Sequence, residues 1–157
     1  MCDLTAERLA GFGICALLLD VDNTLALHGH PIPKEGVKEW IADMKQAGIK
    51  LVIISNAYDR RIKPFAGLLG LTYSAMSLKP LPFALRKQRK NLKVNKQNVM
   101  MVGDQLFTDI MAAKLAGMRT ALVSPIGTND MKFTALRRGL ERKMVARYKR
   151  RGGFLYE

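Results

Sequence analysis

At 157 residues, with 48% hydrophobic side chains and only six prolines, the chain has the size and composition of one compact domain, which excludes wholesale disorder. Two cysteines, Cys2 and Cys15, offer neither metal-ligand spacing nor a disulfide framework; they indicate no zinc or redox role, suit a reducing compartment, and leave Cys15 as an ordinary buried strand residue. The net charge of +13 is localised, with seven basic residues and no acid from Lys79 to Lys96, and nine basic residues against Glu141 alone from Lys132 to Arg151. Such a field attracts polyanions: nucleic acid, an anionic leaflet or phosphorylated molecules.

In chain order, the first apolar stretch, Leu9 to Leu19, is too short and too broken by glycine to span a bilayer. It runs straight into a polar motif, so its removal as a signal peptide would destroy the first strand, and a cytoplasmic location is expected. Apolar runs predict strands at Ile14 to Asp20, Lys50 to Ser55, Tyr73 to Ala75, Asn98 to Gly103 and Arg119 to Val123. Helical patterns lie between them at Glu35 to Gln46, Arg60 to Leu69, Pro82 to Asn91 and Leu106 to Ala116, with Gly48, Gly70 and Gly117 as left-handed stops. This alternation predicts an α/β fold, a Rossmann-like three-layer sandwich with a central parallel sheet of about five strands. The intervals Asp22 to Ser55 and Ser55 to Lys79 hold only loops, one helix and one strand each, so no large cap domain is expected and the site is open to a large or surface-bound substrate.

After Pro125 the sheet is complete, yet Phe133, Leu136, Leu140, Met144 and Tyr148 continue on one helical stripe. A single domain over 1–157 is therefore expected to close with a basic amphipathic helix at about 131–151. Such a helix can lie on an anionic membrane, at about 1 kcal/mol per basic charge near the surface, or pack on the sheet with its basic face solvated.

Four motifs sit at successive strand ends. In Asp20-Val21-Asp22-Asn23-Thr24, residues i and i+2 of an extended segment share a side, so both carboxylates can face one bound group and need a cation or a proton. A solvated turn or cap explains the lone motif equally well. Ser55-Asn56 can donate to phosphate oxygens or simply cap a helix. Lys79-Pro80 taken alone is a lysine in a stretch rich in them. In Gly103-Asp104-Gln-Leu-Phe-Thr-Asp109, glycine permits a tight turn that brings Asp104 to the edge of Asp20 and Asp22, while Asp109 in the first turns of a helix favours its positive end. Three acids converging at one edge call for a hard divalent cation such as Mg²⁺. His28 and His30, in the loop after the first motif, read as solvent-facing residues or as contacts to substrate or a second metal.

The ordered set Asp20-x-Asp22-Asn-Thr24, Ser55-Asn56, Lys79-Pro80 and Gly103-Asp104-x-x-x-Thr-Asp109 resembles the haloacid dehalogenase (HAD) superfamily of phosphatases, in its capless type III branch. More specifically, Leu19 to Leu25, Arg61-Ile-Lys-Pro-Phe-Ala66, Lys79-Pro-Leu-Pro82 and Gly103 to Asp109 are similar to the YqeG-like group, related to phosphatidylglycerophosphate phosphatases. The resemblance implies that Asp20 is the nucleophile and Asp22 the acid and base. It implies Mg²⁺ held by Asp20, the Asp22 backbone carbonyl and Asp104. Lys79 and Ser55 would clamp the phosphate with Asn23 and Asn56 as further donors, and Thr24 and Asp109 would support the site, Asp109 through Lys79 or the metal shell. The implied substrate is a phosphate monoester, phosphatidylglycerophosphate at the cytoplasmic membrane surface, with the protein peripheral on the membrane. Alternatives are a soluble or polynucleotide-end phosphomonoester phosphatase, and a non-catalytic nucleic-acid or ribosome-binding module on the same scaffold.

Overall fold

The computed structural model describes residues 4–127; the expected helix at about 131–151 and Cys2 lie outside the described residues. Five strands form the sheet: β1 (Ala16–Leu19), β2 (Lys50–Ile54), β3 (Thr72–Ser74), β4 (Val99–Gly103) and β5 (Arg119–Leu122). Their order is β3-β2-β1-β4-β5 and every pairing is parallel, with Leu18 of β1 opposite Val52 on one side and Met101 on the other. The central position of β1 explains its composition, because a strand covered on both faces has no solvated side to mark with polar residues.

Alternation along β1 divides the core in two. Leu17 and Leu19 join Ile53 and Val102 beneath α2 (Val37–Gln46) and α3 (Asp59–Leu69), whose Trp40, Ile41, Ile62 and Phe65 are buried there. Ala16 and Leu18 join Val52, Ile54 and Met101 beneath α4 (Phe83–Leu92) and α5 (Met111–Ala116), through Leu85, Ala112 and Ala113. This is the three-layer sandwich expected from the alternation of units. Among the described residues each segment between strands holds loops and one α-helix, with at most one short helical turn besides, so no large cap covers the sheet edge. No helix of the described residues is long and apolar enough to cross a membrane.

Three local expectations are corrected. The segment before β1 contains a short helix, α1 (Ala6–Gly11), capped by Thr5 Oγ1 accepting from the Arg8 amide at 3.4 Å. Six residues are too few for a helical period to stand out beside an apolar run. Cys15 is exposed rather than a buried strand residue, because β1 starts at Ala16 and the buried neighbour on the preceding side is Ile14. The helix expected from Leu106 begins with a wider π turn, Leu106–Ile110, in which the Gln105 carbonyl accepts from both Asp109 (3.0 Å) and Ile110 (3.3 Å). Such π turns concentrate at functional sites because they redirect one side chain without ending the helix.

Candidate active site

Parallel strands bring their carboxyl ends to one edge, and four of the five contribute here. The Asp20 amide extends the ladder of β1 by donating to the Val102 carbonyl at 2.9 Å. Beyond it the chain folds into a tight turn, with Leu25 and Ala26 donating to the Val21 carbonyl and Asn23 in the left-handed region at φ +57°. Asn and Asp tolerate that conformation better than other side chains, which accounts for Asn23. Thr24 is buried beneath the same turn.

Lys79 reaches the site from the loop after β3. That loop is stitched to the end of β2: Asn56 Oδ1 accepts from the Lys79 amide at 2.8 Å, Asn56 Nδ2 donates to the Lys79 carbonyl at 2.9 Å, and the Ser77 amide donates to the Ser55 carbonyl at 2.9 Å. The Lys79 ammonium then lies 2.6 Å from Asp20 Oδ1 and 2.6 Å from Asp109 Oδ1, and donates to the Ile54 carbonyl at 2.9 Å. Ser55 Oγ is buried and accepts from the Ala57 amide at 3.1 Å, closing the turn after β2.

β4 supplies Asp104 directly and Asp109 through the π turn. Asp109 Oδ2 accepts from the Gln105 amide at 3.1 Å, which folds its carboxylate back over Gly103. A Cβ at Gly103 would collide with that carboxylate, so glycine is required here for close approach. Asp20, Asp104 and Asp109 are all buried and place one carboxylate oxygen each within 4.8 Å of one another. Hard oxygen donors at that spacing fit a Mg²⁺-sized cation, which keeps waters and accepts a few carboxylates.

The chain matches the haloacid dehalogenase-like hydrolase family model over residues 4–117. It is 32% identical over 154 residues to a Bacillus subtilis protein named "Probable phosphatase YqeG", covering 98% of this chain and 90% of that one. The chain belongs to the haloacid dehalogenase-like hydrolase family. Solved structures share its fold. A Legionella pneumophila structure titled "putative HAD superfamily (subfamily III A) hydrolase" aligns at TM-score 0.50 and 23% identity, over 64% of this chain and 59% of that chain. CbbY from Rhodobacter sphaeroides in complex with phosphate aligns at TM-score 0.60 and 17% identity, over 76% and 90%.

In this HAD-like hydrolase the two motif-one carboxylates do not share a partner, contrary to the reading from i, i+2 alternation. β1 ends at Leu19, so the segment from Val21 is a turn rather than an extended strand. Asp22 is turned toward α3, where Arg61 Nη1 lies 2.7 Å from Oδ2 and Nη2 2.5 Å from Oδ1. The Gly29 amide donates to Asp22 Oδ1 at 2.9 Å and His28 Nδ1 lies 3.3 Å from the same oxygen. His28 and His30 are exposed, and among the described residues the acidic cluster contains no histidine.

Electrostatics follow this division. Burial pushes the Asp20 carboxyl up to about 8, with Asp109 and Asp104 adding to the rise against the pull of Lys79. Burial alone would also raise Asp22, but the hydrogen bonds from Arg61 and Gly29 outweigh it and hold that carboxyl below its ordinary value. For Lys79 the penalty of burial is exceeded by Asp109 and then Asp20, so its ammonium is held above the ordinary lysine range. Of the two carboxylates, Asp109, 2.6 Å from the ammonium, contributes more to this than Asp20.

The acids expected at one edge were Asp20, Asp22 and Asp104; Asp20 and Asp104 meet there beside Lys79, but the third carboxylate of the cluster is Asp109, expected in the first turns of the helix, and Asp22 turns to Arg61. Sequence reasoning assigned no role to Arg61. The available signal was that Asp22, a carboxylate just beyond a strand end, needs a counter-charge, and that Arg61 lies in the first turn of α3, the helix that follows the neighbouring strand β2.

Proposed function

We propose that this phosphatase of the haloacid dehalogenase superfamily is a Mg²⁺-dependent phosphomonoester hydrolase that works through an aspartyl-phosphate on Asp20 and acts on phosphatidylglycerophosphate at the cytoplasmic membrane surface. The observation that carries the chemistry is Asp20 Oδ1, buried at a strand end 2.6 Å from the Lys79 ammonium and clustered with Asp104 and Asp109.

Asp20, Asp104 and the backbone carbonyl of Asp22 would hold the cation, with Asp109 beside them. When bound, Mg²⁺ supplies positive charge that offsets repulsion between carboxylate and phosphate. Asp20 attacks phosphorus and the alkoxide leaves, which splits one difficult displacement into two easier ones. Lys79 neutralises the transferred phosphoryl oxygens, aided by the Ser55 hydroxyl and by donors from Asn23 and Asn56. Asp22 delivers a proton to the departing alcohol oxygen and afterwards takes one from the water that cleaves the aspartyl-phosphate. Because Arg61 and Gly29 keep resting Asp22 ionised, its proton has to arrive with the substrate. Asp109 orients Lys79, and Thr24 supports the turn that carries Asp22.

The lipid substrate is supported by the open sheet edge, the localised positive charge and the likeness to the YqeG-like group. The test is phosphate release from vesicles containing phosphatidylglycerophosphate, with and without Mg²⁺, for the wild type and Asp20→Asn. Release is expected only from the wild type with Mg²⁺, with the variant keeping its circular dichroism. Near-normal release by Asp20→Asn removes Asp20 as nucleophile. Release from nucleotide or polynucleotide-end esters but never from vesicles replaces the lipid with a soluble phosphomonoester.

A further inference from the structure

Eleven large hydrophobic side chains are exposed among the described residues, and seven of them lie in or just beyond the loops that follow β1, β2 and β3 at the sheet edge carrying Asp20 and Lys79. The sharpest case is the loop that delivers Lys79. From Met76 to Phe83, Met76, Leu78, Leu81 and Phe83 are exposed while Ser77, Lys79 and Pro82 between them are buried. Ser77 Oγ donates inward to the Ser74 carbonyl at 2.8 Å and Lys79 donates inward to Asp20, so each inward polar residue leaves an apolar neighbour facing water. Met76 and Leu78 adopt left-handed backbone at φ +46° and φ +54°, a conformation that L side chains avoid and that the surrounding contacts must enforce. Ile32 and Tyr58, from the other two loops, add apolar surface, and the seven residues are between 47 and 67% exposed. Clustered apolar exposure of this kind marks an interaction surface.

Cations flank the rim. Lys34, Arg60, Lys63 and Lys87 are exposed on the loop after β1 and the first turns of α3 and α4, against the acids Glu35 and Asp59, the latter accepting from Tyr73 Oη at 2.9 Å. The chain leaves the described residues beside the same rim, where the Ile126 amide donates to the Asn23 carbonyl at 2.9 Å. The sequence that follows carries nine basic residues and one acid from Lys132 to Arg151. A cationic segment laid over a cation-flanked rim, or a second copy of a chain of net charge +13, would bring like charges together. An anionic surface complements both the rim and the segment.

We propose that the apolar rim formed by the loops after β1, β2 and β3 is a bilayer-docking surface, which inserts Met76, Leu78, Leu81 and Phe83 among the headgroups of anionic lipid and faces the Asp20–Lys79 site toward the membrane. Apolar side chains at the interface and basic residues at the headgroup level are the two contributions that hold peripheral proteins there. The inference deepens the lipid-substrate reading and rests on it for its catalytic consequence, whereas docking is measurable without turnover.

The experiment compares the full chain with the triple variant Met76→Ser, Leu81→Ser, Phe83→Ser in sedimentation with phosphatidylglycerol–phosphatidylcholine vesicles. The triple variant is expected to bind at least about tenfold more weakly while hydrolysing soluble p-nitrophenyl phosphate at the wild-type rate. Vesicle binding unchanged by the triple substitution overturns the proposal. A Phe83→Trp variant reports the occupant directly once the emission of the buried Trp40 is subtracted with the wild type as reference: difference emission typical of water that shifts to the blue on adding vesicles supports docking. Emission already blue-shifted without vesicles means that protein covers the rim, either the segment beyond residue 127 or a second copy, and overturns it. Vesicle binding without lipid turnover removes the substrate reading and leaves docking standing. Lipid turnover undiminished in the triple variant removes docking and leaves the substrate.

Discussion

Arg61 grips Asp22 with both terminal nitrogens, Nη1 2.7 Å from one carboxylate oxygen and Nη2 2.5 Å from the other. A two-point grip fixes the plane of the carboxylate as well as its charge, which a lysine cannot do. Asp22 is thereby oriented and held ionised, in contrast to Asp20, whose burial favours its protonated form.

The first prediction concerns that grip. Arg61→Ala is expected to lower kcat by about a hundredfold, the lower end of the scale of proton-transfer catalysis because Asp22 itself remains, with a smaller effect on KM. Losing the hydrogen bonds that depress Asp22 moves its carboxyl upward, so the acidic limb of the pH–rate profile shifts to higher pH. Arg61→Lys restores part of the limb's position and less of kcat, because charge returns without the bidentate geometry. An acidic limb unmoved in Arg61→Ala would show that Asp22 does not set it.

Much of this layout was legible in the sequence, for a physical reason. Fully buried strands are apolar runs, and β1, β2 and β4 each end where the chain turns polar, so the sequence alone puts Asp20, Ser55 and Asp104 at one edge. Lys79 could not be singled out by composition, since six further basic residues follow it by Lys96, and only its place in the motif order distinguished it. Arg61 stood only as the first residue of the Arg61 to Ala66 motif, and with Arg60 and Lys63 beside it nothing in the charge pattern marked it as the partner of Asp22. The π turn was invisible because five residues carry no period, although it folds Asp109 back toward the Lys79 ammonium.

The buried ammonium supports the next prediction. Lys79 faces Asp20 and Asp109 and is itself almost wholly buried, so Lys79→Met removes the positive charge nearest to the carboxylates. Breaking a buried pair in this way costs about 3–5 kcal/mol. Urea unfolding without Mg²⁺ is expected to show a loss of that order, reduced on adding Mg²⁺, and phosphate release is expected to vanish. Wild-type stability in metal-free buffer would mean that the carboxylates are protonated together and that Lys79 is not their counter-charge.

Gly103 offers a steric test of Asp109. Gly103→Ala drives a methyl group into the Asp109 carboxylate, and overpacking of this kind costs about 1–3 kcal/mol. The displaced carboxylate also loosens Lys79, so phosphate release should fall together with stability. Gly67→Ala on α3 is the control: a Cβ there meets nothing within 4 Å, and alanine in a helix interior stabilises by about 0.5–1 kcal/mol. Equal effects of the two substitutions would remove the close approach of Asp109 as the reason for glycine.

The last prediction uses the sign of the Asp20 shift. Its carboxyl is raised from 3.8 to about 8 in the folded, metal-free protein, so between those values the folded state binds more protons than the unfolded one. Stability from this group is therefore fully present below 3.8 and is lost as pH rises through about 8. Asp22 acts in the opposite direction: its depressed carboxyl stabilises above 3.8 and that contribution is lost as pH falls through its folded value. Thermal melts in EDTA should thus show Tm falling from pH 6 to pH 9. A bound divalent cation favours the ionised carboxylates, so Mg²⁺ should raise Tm most at the alkaline end and flatten the slope. Asp20→Asn, which has no charge to bury, should show neither the alkaline loss nor most of the Mg²⁺ rescue. If that variant loses Tm across the same pH range as the wild type, the alkaline sensitivity belongs to another group.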